Sequence, residues 1–224
     1  MKKFFTLIAA VAMAASANAD TKILEWNISE WDQQTISKTT STDNMTLYVG
    51  TDSEGKECNF VVDANNKTID GVKYTQRLKY GGKGAFDGTT PLYRVLEFSV
   101  DAPAEVYVAL TTSNKTDAKE VYLDALEEGA TEITHVGTIS LAANEVKGAT
   151  VKYTGKGGKL FLYPNGGVNI YYIKITTSTT SGINSAISEV SADADAATYN
   201  VLGQKVASNA KGLVIKNGKK FINK

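Results

Sequence analysis

Apolar and polar residues alternate along most of this chain with a period of two. The pattern is clearest in residues 95–100 and 104–112, which a short Asp-Ala-Pro turn separates, and it recurs in residues 45–49. Alternation of this kind is typical of strands with one buried face. No segment carries a long helical period, although residues 119–126 fit either a helical turn or a strand. About ten or more short strands, separated by Gly, Pro, Asn and Asp, predict an all-β fold, a jelly-roll-like β-sandwich.

The two ends of the chain differ from this sandwich pattern. Lys2 and Lys3 precede an apolar run that ends in Ala-Asn-Ala, which predicts a secretory signal peptide. The run is too short for a stable membrane anchor, and no other apolar run approaches membrane length, so no membrane span is predicted in the mature chain. The predicted organisation is a signal peptide at 1–19, a β-sandwich domain at 20–176, a Ser/Thr-rich linker at 177–185 and a C-terminal module at 186–224.

The C-terminal end carries the most specific motif of the sequence. Two short strands flank a Leu-Gly pair, and a second pair of strands is joined by Asn-Gly, a dipeptide that suits the positive φ angles of a type I′ hairpin turn. As a set, the segment resembles the type A C-terminal sorting domain of type IX secretion cargo. The matching positions are Tyr199, Asn200, Leu202, Gly203, Gln204, Gly212, Asn217 and Gly218. The resemblance implies a small Ig-like β module, recognition by the type IX secretion machinery, and export to the bacterial cell surface or the medium.

The distribution of charged residues along the chain limits the classes of binding partner that can be expected. The whole chain holds 24 basic and 24 acidic residues, but six lysines against three acidic residues follow position 180. Residues 20–180 are therefore acidic. They offer no clustered basic field suited to phosphates, so nucleic acid is not an expected partner.

Cysteine and histidine each occur once in the sequence, which limits the covalent, metal-binding and catalytic chemistry that can be predicted. Cys58 is the only cysteine, so no intramolecular disulfide is expected, and its place in an alternating strand predicts a buried thiol. His135 is the only histidine, so neither a His-based metal site nor a cofactor is predicted, and a catalytic triad would have to use this one residue. Most carboxylates lie in turns, where Asp is a common turn former. The chain is therefore not expected to be an enzyme.

Six residues are predicted to contact a ligand. Arg77 and Lys79 share one face of a strand, opposite Tyr74 and Tyr80, directly before the glycine-rich loop 81–91. A guanidinium pairs bidentately with carboxylates, so this face suits an acidic sugar; the alternative is an ordinary solvated strand face with local ion pairs. The predicted set consists of Arg77, Lys79 and Arg94 for charge and Tyr74, Tyr93 and Tyr163 for stacking. For the tyrosines, the alternative is a structural place in the core or on the sheet.

Four segments of the body resemble the β-sandwich domain that accompanies secreted pectate lyases and related polysaccharide-degrading enzymes. They are LEWNISEWD, DANNKTIDGVKYTQRLKYGG, YRVLEFSV and GGKLFLYPNGGVNIYYIKI, which together span roughly residues 21–176. The catalytic right-handed β-helix of those enzymes is not attached to the module in this sequence. The resemblance therefore implies a carbohydrate-binding accessory module rather than a catalytic domain.

Three hypotheses for function follow from these patterns. The leading one is a secreted, non-catalytic β-sandwich protein that binds polysaccharide, with an acidic glycan as one option. The second is a structural or adhesion protein of the cell surface with protein partners, which a large exposed apolar patch would favour. The third is an unrecognised lyase or hydrolase, which needs two carboxylates or a basic pair that converge in a cleft.

Overall fold

The computed structural model describes residues 19–42, 44–113, 115–180, 198–200, 204–207, 210–216 and 219–223. The chain divides into two units, residues 1–179 and residues 180–224. Residues 1–18 of the predicted signal peptide lie outside the described residues. So do Leu202, Gly203, Asn217 and Gly218 of the predicted sorting signal.

The described part of the first unit consists almost entirely of strands. They are β1 (Ala19–Asn27), β2 (Gln34–Ile36), β3 (Thr40–Thr42), β4 (Met45–Tyr48), β5 (Phe60–Ile69), β6 (Val72–Lys79), β7 (Ala85–Asp87), β8 (Thr90–Tyr93), β9 (Val95–Val100), β10 (Ala104–Thr112), β11 (Lys119–Glu127), β12 (Thr134–Leu141), β13 (Val146–Tyr153), β14 (Gly158–Pro164) and β15 (Val168–Thr180). A short 3-10 turn, Ile28–Glu30, follows β1. Residues 119–126, whose pattern left two options open, lie in strand β11.

Within the described residues, these strands form two main antiparallel sheets. The seven-stranded sheet has the order β13-β10-β15-β6-β5-β2, with β1 also paired to β15. The six-stranded sheet has the order β12-β11-β14-β9-β4-β3, and β7 and β8 form a separate hairpin. Strands that are consecutive in the chain can lie in opposite sheets, as β9 and β10 do on either side of the Asp-Ala-Pro turn. The predicted all-β, jelly-roll-like sandwich is confirmed.

The main core lies between the two sheets. Alternation predicts its inward positions correctly in the two clearest strands: Leu96, Phe98 and Val100 of β9 and Val106, Val108 and Leu110 of β10 are all buried in one apolar cluster. Trp26 of β1 and Phe98 of β9 join the layers, with ring centroids 5.0 Å apart. Cys58 is fully buried, as predicted. Removal of this apolar surface from water is the main force that holds the sheets together.

Strand β15 is longer than the sequence predicts. It continues to Thr180, and Thr177, the first residue of the predicted linker, is 2 % exposed and pairs with Ala104 of β10. Threonine is β-branched and suits an extended, half-buried strand, so Ser/Thr-rich composition did not mark a linker at this point. The linker prediction is therefore wrong for residues 177–180.

The second unit contains a small sheet in its described residues. Its strands β16 (Thr198–Asn200), β17 (Lys205–Val206), β18 (Gly212–Lys216) and β19 (Lys219–Asn223) have the order β17-β16-β18-β19. Strands β18 and β19 of the predicted hairpin pair antiparallel, with Lys216 opposite Lys219, and the predicted turn at residues 217–218 lies outside the described residues. The Asn200 N–H donates to the Gln204 carbonyl at 2.9 Å, and the Gln204 N–H donates to Asn200 Oδ1 at 3.0 Å. These bonds close the connection between β16 and β17.

Candidate functional site

The six predicted ligand residues do not form one site. Arg77 and Lys79 lie in β6 of the seven-stranded sheet, whereas Tyr163 lies in β14 of the six-stranded sheet. Tyr93 ends strand β8 and Arg94 follows it, and each is only 9 % exposed. The predicted set is therefore spread over both main sheets and the β7–β8 hairpin, and only part of it reaches the surface.

Tyr74 and Tyr93 do not fit the predicted stacking role. Tyr74 is 5 % exposed and belongs to a second apolar cluster with Tyr171, apart from the main core that contains Tyr80. A sugar ring needs an exposed aromatic face, which neither Tyr74 nor Tyr93 offers. The physical reason is local: Tyr74 lies near the end of the β5–β6 hairpin, where outer-face aromatics cover it.

Arg94 is a buried structural cation rather than a surface charge. Its backbone has a φ of +52° and its N–H donates to the Tyr48 carbonyl at 2.7 Å. The guanidinium lies against the glycine-rich loop, with Nη1 2.5 Å from the position where a side chain of Gly82 would begin. A side chain at position 82 would therefore displace the end of the arginine.

The outer face of the six-stranded sheet carries a second set of aromatic and polar side chains. We name it the Tyr122 platform, formed by Glu120, Tyr122, Asp124, His135, Thr138, Tyr163 and Asn165. Register explains why these residues share a face: Tyr122 of β11 lies opposite Tyr163 of β14 and Thr138 of β12. A bulge after Leu123 shifts the β11–β12 register, so Asp124 lies opposite His135.

Asp124 is the centre of the hydrogen bonds on this platform. Its side chain is 11 % exposed, accepts from the Tyr163 hydroxyl at 2.5 Å, and lies 2.7 Å from His135 Nδ1. Burial and the bond to Asp124 raise the pKa of Tyr163 well above its ordinary value, so the hydroxyl stays a donor. His135 Nε2 lies 3.0 Å from the Thr138 hydroxyl, and the imidazole is 55 % exposed. A ligand can therefore reach a ring that the carboxylate holds in place.

Glu120 and Asn165 hold the polar end of the Tyr122 ring. The Tyr122 hydroxyl donates to Glu120 Oε2 at 2.6 Å, and Asn165 Nδ2 donates to the same oxygen at 3.3 Å. The Glu120 N–H donates in turn to Asn165 Oδ1 at 3.0 Å. The hydrogen bond to Glu120 raises the pKa of Tyr122. The ring centroids of Tyr122 and Tyr163 are 5.4 Å apart, so the two tyrosines form a continuous aromatic surface.

The β7–β8 hairpin supports the platform from one side. Phe86 of β7 lies edge-on to Tyr163, with ring centroids 4.9 Å apart, and also contacts Phe161 at 5.4 Å. The Gly84 N–H donates to the Pro164 carbonyl at 2.9 Å. A β-carbon on Gly84 would lie 2.8 Å from Tyr163 Cβ, so the loop approaches the tyrosine this closely only because residue 84 is glycine.

A polar cleft shares His135 with the platform. It has a volume of about 440 Å³ and lies between β12 and β13. Glu127, Lys152 and Lys156 are among its lining residues. The cleft provides room for polar groups next to the exposed imidazole.

Arg77 lies on the opposite sheet and is already paired. Its Nε donates to Asp63 Oδ1 at 2.6 Å and its Nη2 donates to Asp63 Oδ2 at 3.1 Å. This bidentate bond, with Lys79 nearby, lowers the pKa of Asp63 despite partial burial. The local ion pair that the sequence left as the alternative is the arrangement observed, so Arg77 does not present a free guanidinium.

A second bulge shapes the outer face around Arg77. Ala109 of β10 pairs with Tyr172 of β15, and Leu110 pairs with Ile170, so Tyr171 has no partner in the register. Both tyrosines consequently lie on the outer face, while Ile170 remains in the main core. The bulge also leaves Asn169 on the outer face, next to Tyr171.

Sequence reasoning missed several residues of these two surfaces. Glu120, Tyr122 and Asp124 alternate along residues 119–126, so a strand assignment there would have placed them on one face. The pairing of Asp124 with His135 and the position of two consecutive tyrosines on the outer face depend on bulges, for which the sequence carries no comparable signal. Asn169 gave no signal at all, since an asparagine near a turn is ordinary.

The described residues contain no group of three or more His, Cys, Asp or Glu side chains placed to hold a metal ion. Within the same residues, no helix has the length and apolar character needed to cross a membrane.

Comparison with known proteins gives distant structural likenesses only. No family model matches the chain, and no curated protein matches it. Solved structures that resemble it include the K1 cleaved adhesin domain of Lys-gingipain from Porphyromonas gingivalis W83, at 8% identity and a TM-score of 0.42, covering 72% of this chain and 99% of that one. Another is the CBM22-1 xylan-binding domain of Xyn10C from Paenibacillus barcinonensis, at 13% identity and a TM-score of 0.43, covering 75% and 100%. Likenesses at this level carry no functional conclusion for this chain.

Proposed function

We propose that this chain is a non-catalytic polysaccharide-binding protein that contacts glycans through the Tyr122 platform. One observation supports the proposal above the others. A partly exposed Tyr122 ring is fixed beside an exposed imidazole and a carboxylate–amide pair on one face of a sheet. The ring offers a flat apolar surface to the C–H face of a sugar, while His135, Glu120 and Asn165 offer donors and acceptors to its hydroxyls.

The hydrogen bonds of the platform favour binding because they hold it in one arrangement before a ligand arrives. Tyr122, Tyr163 and His135 each have a side-chain partner at 2.7 Å or less. Side chains that are already ordered lose little conformational entropy on binding, which leaves more of the contact energy for affinity. A rigid and partly polar surface suits an extended sugar chain better than it suits a compact apolar ligand.

Replacing Tyr122 with alanine is expected to weaken glycan binding about tenfold or more, because it removes the stacking surface. Tyr122→Phe keeps the ring and should retain most of the affinity. Tyr199→Ala, which removes a 40 % exposed tyrosine of the second unit, serves as the matched control. Affinity electrophoresis of the full chain in gels that contain xylan, neutral glucan or pectin measures the effect. Equal retardation of Tyr122→Ala and Tyr199→Ala, or no retardation on any glycan, would refute the proposal.

The adhesion alternative receives less support from the surface. The large apolar side chains that are exposed among the described residues are Val72, Leu92, Val146, Tyr199 and Leu213. They belong to five different strands, β6, β8, β13, β16 and β18. Single exposed apolar residues are normal on soluble proteins and do not mark a protein interface.

A hydrolase has one observation in its favour. Thr138 Oγ1, His135 Nε2, His135 Nδ1 and Asp124 Oδ1 follow one another at hydrogen-bond distance, in the order hydroxyl, imidazole, carboxylate. Such an order is also that of a nucleophile, its base and an orienting carboxylate. Hydrolysis of a p-nitrophenyl ester that disappears in Thr138→Ala would establish this second function. We expect no turnover above that of Thr138→Ala, because the carboxylate is shared with Tyr163 and the imidazole faces open solvent.

We further propose that the chain is exported and then sorted by its C-terminal unit. The signal peptide pattern at 1–19 supports export across the inner membrane. The sorting-domain pattern of residues 186–224 supports delivery by the type IX machinery to the cell surface or medium. The mutual hydrogen bonds of Asn200 and Gln204 give two residues of that pattern a defined structural role.

Deletion of residues 186–224 is expected to prevent delivery to the cell surface while leaving the sandwich folded inside the envelope. Fractionation of cells that express the full or shortened chain, with detection by antibody, measures the distribution. Asn200→Ala should reduce delivery by loosening the β16–β17 connection, whereas Tyr163→Phe, in the first unit, should leave it unchanged. Normal surface delivery of the shortened chain would contradict the sorting proposal.

A further inference from the structure

A small polar cleft on the seven-stranded sheet is separate from the Tyr122 platform. It has a volume of about 140 Å³ and lies beside the ends of β10 and β15. Its lining includes Lys67, Arg77, Thr111, Lys115, Asn169 and Tyr171. We name it the Asn169 cleft. Its volume is well below that of a pocket for a drug-sized ligand, so it fits one ring-sized group rather than a long chain.

A hydrogen bond to Thr111 fixes the orientation of Asn169. Asn169 Nδ2 donates to Thr111 Oγ1 at 3.1 Å. Of the other lining residues, Tyr171 donates its hydroxyl to Asn65 Oδ1 at 2.7 Å. Asn169 therefore turns its amide nitrogen towards Thr111. Its carbonyl oxygen must then point away from Thr111.

The carbonyl oxygen of Asn169 is a buried acceptor that nothing satisfies. Asn169 is 2 % exposed, and among the described residues no donor reaches its Oδ1. A buried polar atom without a hydrogen bond costs about 1–3 kcal/mol, so a donor that reaches this oxygen would be stabilising. Asn169 is a lining residue of the cleft, so a hydroxyl donor of a bound molecule can satisfy this oxygen once the amide turns towards the cleft.

The charges around the cleft indicate which other chemical group the bound molecule carries. Lys67 and Lys115 are exposed lysines at its margin. Arg77 adds a third cation, whose charge Asp63 balances. Glu145 is the one carboxylate among the described lining residues, and it already accepts from the Ala142 N–H at 2.5 Å and pairs with Lys147 at 3.3 Å. The two free lysines thus give the cleft a positive potential on an otherwise acidic body, which attracts an anion.

We infer that the Asn169 cleft binds one anionic sugar residue of an acidic polysaccharide. A ring hydroxyl donates to Asn169 Oδ1, and the anionic group of the same residue pairs with Lys67 and Lys115. The inference rests on the proposed glycan-binding function and adds a second contact, on the opposite sheet, that selects for charge. A chain with both contacts binds neutral glycans at the platform and acidic glycans at the cleft.

The test is affinity electrophoresis of the full chain in gels that contain sodium polygalacturonate, dextran sulfate or neutral xylan. Lys67→Ala/Lys115→Ala is expected to weaken binding to the acidic polymer about tenfold or more and to reduce its salt dependence, with xylan binding unchanged. Lys38→Ala/Lys73→Ala removes the same charge from exposed positions outside the cleft and is the matched control. Asn169→Ala should also weaken binding to the acidic polymer. Thermal unfolding of this variant checks that it is folded.

The two polymers separate the sources of negative charge. Preferential binding of polygalacturonate assigns a carboxylate to the site, and preferential binding of dextran sulfate assigns a sulfate ester; either supports the inference if the lysine variant loses it. Equal behaviour of the two double-lysine variants, or no retardation by either acidic polymer, overturns it. A failure of the proposed glycan binding at the Tyr122 platform is a separate result, because that binding is measured on xylan with Tyr122→Ala.

Discussion

Phe98→Ala is expected to lower the free energy of unfolding by about 3–5 kcal/mol, the usual cost of deleting a fully buried phenylalanine. Phe98 has no exposed surface and contacts Trp26 across the two sheets. It also lies opposite Met45 and Leu160 on the neighbouring strands, so backbone pairing holds two sides of the cavity that the substitution would leave. Such a site relaxes little, which places the cost at the upper end of the range.

Urea unfolding followed by tryptophan fluorescence measures this loss. Both tryptophans of the chain, Trp26 and Trp31, are in the first unit, so the signal reports the sandwich alone. Ser99→Ala changes the adjacent, exposed position of the same strand and is expected to alter stability by less than about 0.5 kcal/mol. A loss below about 1 kcal/mol for Phe98→Ala, with an unchanged denaturant slope, would contradict the proposed core.

Gly158→Ala is expected to destabilise the sandwich by at least about 3 kcal/mol. Gly158 has a φ of +132°, which L side chains rarely adopt, and a β-carbon there would lie 2.9 Å from Glu127 Cα. Conformational strain of this kind costs about 1–3 kcal/mol by itself, and the clash is with backbone that cannot rotate away. The residue lies opposite Glu127 at the start of β14, so any shift would disturb the β11–β14 pairing.

Gly129→Ala is the control for this prediction. Gly129 also has a positive φ, +78°, but no atom lies within 4 Å of the position of an added β-carbon. Its substitution should cost about 1–2 kcal/mol from backbone strain alone. Thermal unfolding of the two variants beside the unmodified chain gives the difference. Equal shifts for both would mean that the close approach at Gly158 does not contribute.

The sequence predicts the fold well because the core is encoded by local alternation. Strands β9 and β10 show the pattern most clearly, and their inward positions are correct. Such strands have one buried face and one solvated face, so the period of two is visible without any knowledge of the partner strand. The same logic predicts the inward thiol of Cys58.

The candidate sites are harder to predict because they depend on which strands become neighbours. Tyr122, Asp124 and His135 approach each other only after β11 pairs with β12 and a bulge changes the register. Tyr74 shares its strand with Leu78 but packs in a different cluster, since outer-face tyrosines of β15 cover the end of the hairpin. Arg94 is predicted from the sequence to offer its charge to a ligand, yet it is buried beside a loop whose glycines leave room for the guanidinium.

The bulge in β15 makes the length of this strand as important as its composition. Before the bulge, odd-numbered Asn169 faces outwards; after it, odd-numbered Ile173 and Ile175 face inwards. Removal of one residue between Ile170 and Ile173 would restore strict alternation, so either the isoleucines would leave the core or Asn169 would turn towards it. Conservative substitutions in this segment should therefore be tolerated better than any single-residue deletion. In related sequences, an unchanged number of residues between the positions of Asn169 and Ile173 would identify the chains that keep both the core and the cleft.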